Sequence, residues 1–115
     1  MQPAPQINLP RLRDIGWALW DPLGRLGPSG APMGRWDDAE NLPFAGEYDR
    51  HLIAAATHLR RGVPPERIEA DLVRAEAHLM GLGVGPTTRR RAKAVVAAIL
   101  ADEALWSHPD GTDRR

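Results

Sequence analysis

Two short stretches hold most of the side chains that could do chemistry. Asp21 precedes Pro22 in Trp20-Asp21-Pro22-Leu23-Gly24, and a carboxylate held extended there can accept bonds from the N–H groups of the following turn. It serves either as an Asx-type turn that sets how the chain leaves a helix, or as an exposed carboxylate in a cleft that pairs with an arginine or a metal. Glu47-Tyr48-Asp49-Arg50-His51 opens a helical pattern, where carboxylates are favoured by the helix dipole and can cap the first turn. Glu47 and His51 share a face at i, i+4 and can meet. With Asp21 and Asp49 they form the candidate surface for a hard-ligand or acid–base site, while Tyr48 is placed to pack the preceding loop.

Other chemistries find less support. A Glu-x-x-x-His pair supplies only two of the three or four ligands zinc requires, and the chain has no cysteine. His51 and His58 are not at i, i+4, and His78 falls on another helix, so neither a metal nor a cofactor is expected. Ser29, Thr57, Thr87, Thr88, Ser107 and Thr112 lie in no nucleophile-elbow or Ser-x-x-Lys context, and the single lysine, Lys93, is inside a helical pattern. Gly81-Leu82-Gly83-Val84-Gly85 lacks the preceding strand and the Gly-Lys-Ser/Thr of a phosphate loop, so it reads as a helix end and linker. Arg89-Arg90-Arg91 reads as a solvated face, or as a group paired with something acidic, since it opens a helix at the end disfavoured for cations. Trp17, Trp20 and Trp36 are core aromatics or, where a small interior cannot hold them all, contacts for a partner.

The elements that position these residues are helical. Leu12, Ile15, Trp17, Leu19 and Trp20 recur at helical spacing over about 10–20, with Pro10 in the first turn and Pro22 as the stop. The Gly- and Pro-rich stretch from Asp21 to Gly46 carries no period and reads as a long ordered loop. Leu23, Leu26, Met33, Trp36, Leu42 and Phe44 pin it to the core, and a flexible tip is expected near Gly27 to Gly34. Glu47–Arg61 places Tyr48, Leu52, Ala55, Ala56 and Leu59 on one face and ends at Gly62. Glu66–Met80 does the same with Ile68, Leu72, Ala75 and Leu79. A last helix opens after Pro86, with Thr87 or Thr88 as N-cap, and runs through Val95, Val96, Ile99 and Leu100 to about Leu105. No segment alternates long enough to be a strand. The expected fold is all-α: a small helical bundle of three long helices, a shorter N-terminal helix and the long loop. One domain over 10–106 is flanked by a flexible N-terminus, 1–9, and a flexible tail, 107–115.

Composition limits the partners. With 115 residues, 43% of them hydrophobic, the chain suffices for one core. Fifteen basic and fifteen acidic residues leave no net charge to draw it onto nucleic acid or an anionic membrane. No apolar run spans a bilayer and no secretory leader is evident, so a cytoplasmic protein is expected.

Three of these segments carry a resemblance. Asp21-Pro22-Leu23-Gly24, Glu47-Tyr48-Asp49 and Met80-Gly81-Leu82 resemble the Asp-Pro-Ile-Gly, Asp-Glu-Tyr-Asp and Met-Gly-Leu segments of a family of small bacterial helical proteins with no established activity. The similarity extends over most of 12–100. Gly46 stands where that family has a further Asp, His51 where it has a second Tyr, and the intervening loop is longer. The resemblance implies a helical fold and joins Asp21 with Glu47, Tyr48 and Asp49 as one surface. Two functions follow as expectations. One is a non-catalytic interaction or accessory protein, immunity-like in kind, that engages another protein or itself through the tryptophans and Asp37, Asp38 and Glu40. The other is a small metal-dependent or acid–base enzyme using Asp21, Glu47, Asp49 and His51.

Overall fold

Asn8 starts the first helix. Its Oδ1 accepts from the Arg11 N–H at 3.3 Å, one of the donors that a helix start leaves unpaired, and Pro10 occupies the first turn. The computed structural model describes residues 6–21, 35–79, 81 and 83–107, without the side chains of Glu40, Leu79 and Ser107. The expectations for Pro22-Leu23-Gly24, the loop tip at 27–34, Met80, Leu82 and the outermost termini lie outside the described residues.

Helix α1 spans Leu9–Leu19, α2 Asp49–Arg60, α3 Pro65–Arg74 and α4 Thr88–Ala101. A 3₁₀ turn, Ala39–Phe44, precedes α2, and a π-type turn, Ala75–Leu79, continues α3. The fold is helical and compact, with four helices among the described residues. The lengths differ little: α1 has 11 residues, α2 12 and α4 14, and α3 has 10 before the π-type turn carries it on to Leu79. Helix α2 packs against α1, α3 and α4, and α4 packs against α1, α2 and α3, so these two are the centre of the molecule.

The apolar faces read from spacing meet in one core. Leu12, Tyr48, Leu52, Ala56, Ile68, Leu72, Ala92, Val95 and Val96 are buried, which is the removal of apolar surface from water that drives folding. Gly16 lies where α1 crosses α2, and a Cβ there would meet Leu52 Cδ1 and stand 2.9 Å from Cδ2. Gly62 ends α2 at φ +93°, the left-handed conformation expected of that position. Three apolar residues behave otherwise than expected. Leu19, Leu42 and Leu100 are exposed, Leu42 at 54% and Leu100 at 55%. Leu19 and Leu100 stand at or beside the C-terminal end of a helix, and Leu42 lies within the 3₁₀ turn.

The described residues flanking the helices pair with each other. Gln6–Ile7 pairs antiparallel with Trp106–Ser107, forming strands β1 and β2, and the Asn8 N–H donates to the Leu105 carbonyl at 2.7 Å. A two-residue pairing has no period to read, so it left no trace in the pattern. Helix α4 stops at Ala101, four residues short of the expected end. Asp102 turns extended, takes Arg11 through both carboxylate oxygens and accepts from the Ala104 N–H. The turn carries Leu105 back into the core, and Arg60 of α2 lies over the Trp106 ring at 5.1 Å.

Candidate functional site

Helix α1 ends by folding Asp21 toward α2. Asp21 has φ +30°, the one non-glycine residue with positive φ among those described, and its Oδ1 accepts from the Tyr48 hydroxyl at 2.8 Å. Tyr48 is fully buried, with its ring 4.4 Å from that of Trp17 and 5.6 Å from that of Trp20. The two segments singled out by sequence therefore do meet. Their meeting point is a hydrogen bond from a core phenol to a turn carboxylate, and a buried phenol without that acceptor would be costly.

Asp49 serves a different partner. At the first turn of α2 it receives Arg13 of α1 in two parallel bonds, Nε to Oδ1 at 3.0 Å and Nη2 to Oδ2 at 2.6 Å. This is the fork geometry in which guanidinium and carboxylate fit best. The guanidinium of Arg13 also covers the Trp36 ring at 5.1 Å. Gly46 allows this: a Cβ there would stand 3.3 Å from Asp49 Oδ2 and 3.5 Å from Arg13 Nη2, so a larger side chain would crowd the pair. Glu47 is exposed in the turn before α2.

His51, one turn into α2, faces elsewhere. Its ring meets the edge of Trp20, with centroids 6.1 Å apart at 81°, and it lines the groove between α2 and α3. Burial, and to a lesser extent the nearby Arg50 charge, holds His51 below the ordinary histidine range. The four residues expected to converge as a ligand or acid–base set are thus divided: Asp21 on Tyr48, Asp49 on Arg13, His51 on the groove, and Glu47 exposed in the turn before α2. Among the described residues no three of His, Asp and Glu are arranged to hold a metal.

The tryptophans require a correction. Trp17 is 3%, Trp20 2% and Trp36 8% exposed, so the neighbours Trp17 and Trp20 are both buried and none of the three offers a surface to a partner. The interior makes room because the segment after the loop comes over them. Phe44 lies 5.5 Å from Trp17, the Ala45 carbonyl accepts from Trp17 Nε1 at 3.3 Å, and Asp14 Oδ1 accepts from Trp36 Nε1 at 2.9 Å. The indole N–H of Trp20 is buried without a hydrogen-bond partner among the described residues.

One buried charge went unseen. Glu76 is buried beside α4, where Arg91 Nη1 reaches its Oε1 at 3.0 Å and Nη2 its Oε2 at 2.7 Å. Arg91 Nη1 also donates to the Trp20 carbonyl at 3.0 Å. Thr88 adds its hydroxyl to Glu76 Oε2 at 3.1 Å and accepts from the Gly85 N–H at 2.8 Å. Of the arginine run, Arg89 and Arg90 are exposed, and Arg91 has the acidic partner its position called for. A misplaced cation opening α4 was the available signal; which carboxylate answered it depended on how α3 and α4 pack.

No helix among the described residues is long and apolar enough to cross a membrane. No protein-family model matches this chain, and no curated protein or solved structure is significantly similar to it.

Proposed function

We propose that the protein is a non-catalytic, cytoplasmic interaction or accessory protein, immunity-like in kind, of the small bacterial family its three motifs resemble. The observation that supports this reading is what the motif residues do: Asp21 takes the Tyr48 hydroxyl and Asp49 takes Arg13, so both motifs join α1 to α2. Motifs that brace a scaffold leave recognition to the surface it presents. With the tryptophans inside, that surface is the corner over Trp36. There Arg35 reaches Asp14 at 2.7 Å and Asp37 at 3.0 Å, its backbone N–H is held by Asp38 at 2.8 Å, and Leu42 stands exposed nearby in sequence. Charged and apolar side chains held on an ordered turn suit a protein partner, because little conformational freedom is lost on binding.

Affinity capture from the native cell, beside elemental analysis of the purified protein, tests the proposal. A defined partner is expected with the wild-type chain and is lost with Asp37→Lys and Leu42→Glu, while the melting temperature holds. Near-stoichiometric metal that disappears in both Asp21→Ala and His51→Ala would overturn the reading in favour of an enzyme.

A further inference from the structure

The π-type turn Ala75–Leu79 and a cavity of about 260 Å³ share residues. The cavity is lined by His51 of α2, by Asp71 and Arg74 of α3, and by Ala75 and His78 of the turn. It adjoins a smaller space of about 90 Å³ that extends between α2 and α3 to His58 and Ile68. A π-type turn widens the helix, is rare, and occurs often where a helix serves a site.

We propose that this cavity binds a small oxyanion, the phosphate or carboxylate group of a low-molecular-weight ligand, held by Arg74 and the imidazole N–H groups of His51 and His78. Arg74 is oriented for it: Asp71 Oδ1 accepts only from Nη1, at 3.0 Å, and a guanidinium has further donors in the same plane. The imidazoles of His51 and His78 have no hydrogen-bond partner among the described residues, so both retain a donor for an incoming acceptor. The charges around the pocket favour an anion. Asp71 is matched by Arg74, Arg50 adds a positive charge close enough to act on His51, the imidazoles of His58 and His78 line the same groove, and the end of α1 contributes the uncharged Trp20 ring. Burial lowers the His51 pKa in the free protein, and an anion beside it acts in the opposite direction, so binding is coupled to proton uptake. The same turn brings Glu76 onto Arg91, a structural role that requires nothing of His51, Arg74 or His78. The site does not depend on the interaction reading above.

Titration of the full chain with inorganic phosphate and, separately, acetate, followed through the histidine ring signals by nuclear magnetic resonance, tests this. Saturable shifts are expected at His51 and His78, smaller ones at His58, with a rise in the His51 pKa. Arg74→Met and His78→Gln are each expected to weaken binding by about tenfold or more with the melting temperature preserved. The tighter of the two anions identifies the ligand group as phosphate or carboxylate. Shifts that never saturate, or an affinity unchanged in Arg74→Met, would overturn the proposal.

Discussion

Tyr48 fills the space between Trp17 and Trp20 with its ring and ties Asp21 with its hydroxyl, so the two parts of one side chain can be tested apart. Tyr48→Ala is expected to cost about 3–5 kcal/mol, as for other large aromatic truncations in a core. Asp21→Ala removes the acceptor and also places a Cβ-bearing residue with no local hydrogen bond at positive φ, for a loss of roughly 1–3 kcal/mol. Asp21→Asn keeps an acceptor and tolerates that backbone, and is expected to lose less than either. Urea unfolding of the three variants gives the order. His51 sets a pH dependence. Its pKa in the folded protein lies below the ordinary 6.5, so the unfolded chain takes up the proton more readily. The stability this provides is complete above about 6.5 and is lost as the pH falls below that value. A His51→Gln variant is expected to show a flatter melting temperature between neutral and mildly acidic pH.

Contact between elements depends on what is absent as much as on what is present. Gly16 lets Leu52 approach α1 closely, and an added methyl would also stand 3.2 Å from Leu52 Cγ. Leu52 is fully buried, which leaves its side chain little freedom to move aside. Gly16→Ala gains helix propensity of up to about 1 kcal/mol but overpacks this crossing by roughly 1–3 kcal/mol. A net loss is expected, read as a lower melting temperature. An increase would show that α1 and α2 can separate without cost. At the other end of the α2–α3 hairpin, Gly62 provides a left-handed stop that needs no neighbour, and Val63, Pro64 and Pro65 start α3 at once.

The molecule as a whole is closed by contacts between residues far apart in the chain. Arg91 and Glu76 join α4 to the turn after α3, and the Trp20 carbonyl attaches the end of α1 to the same guanidinium. Arg91→Ala leaves a buried carboxylate with Thr88 as its remaining partner, and about 3–5 kcal/mol is the expected loss. Replacing both Glu76 and Arg91 with leucine is expected to recover much of it, since no charge is then stranded. Thermal unfolding of the single and double variants distinguishes a pair needed for stability from one that is merely tolerated. The slowest amide exchange is expected in both α2 and α4, because each touches the three other helices. Slow exchange confined to α2 would contradict the shared centre.

Periodicity carried the helices, with proline in the first turn of α1 and glycine after α2, while the expected side-chain caps of α2 and α4 do not form. Tyr48, Leu52, Ala55, Ala56 and Leu59 face inward as their spacing required, and Gly62 ends the helix where a residue without a Cβ is easiest to accommodate. The Asp21 and Tyr48 segments were joined only by the family resemblance, and their hydrogen bond became visible in the folded structure alone. Distance along the chain hid the rest. Arg13 with Asp49, Arg11 with Asp102 and Arg91 with Glu76 each join residues on different elements, and no sequence period encodes which basic group will meet which acidic one. The tryptophans show the same limit. Composition gave their number, but whether three indoles could be buried depended on the turn at 39–48 folding back over α1, which supplies Phe44 and the Ala45 carbonyl. His51 was correctly placed on the first turn of α2, yet whether it faced Asp21 or the groove of α3 was decided by helix packing: burial is a property of the assembled interior, and the local chain does not contain it.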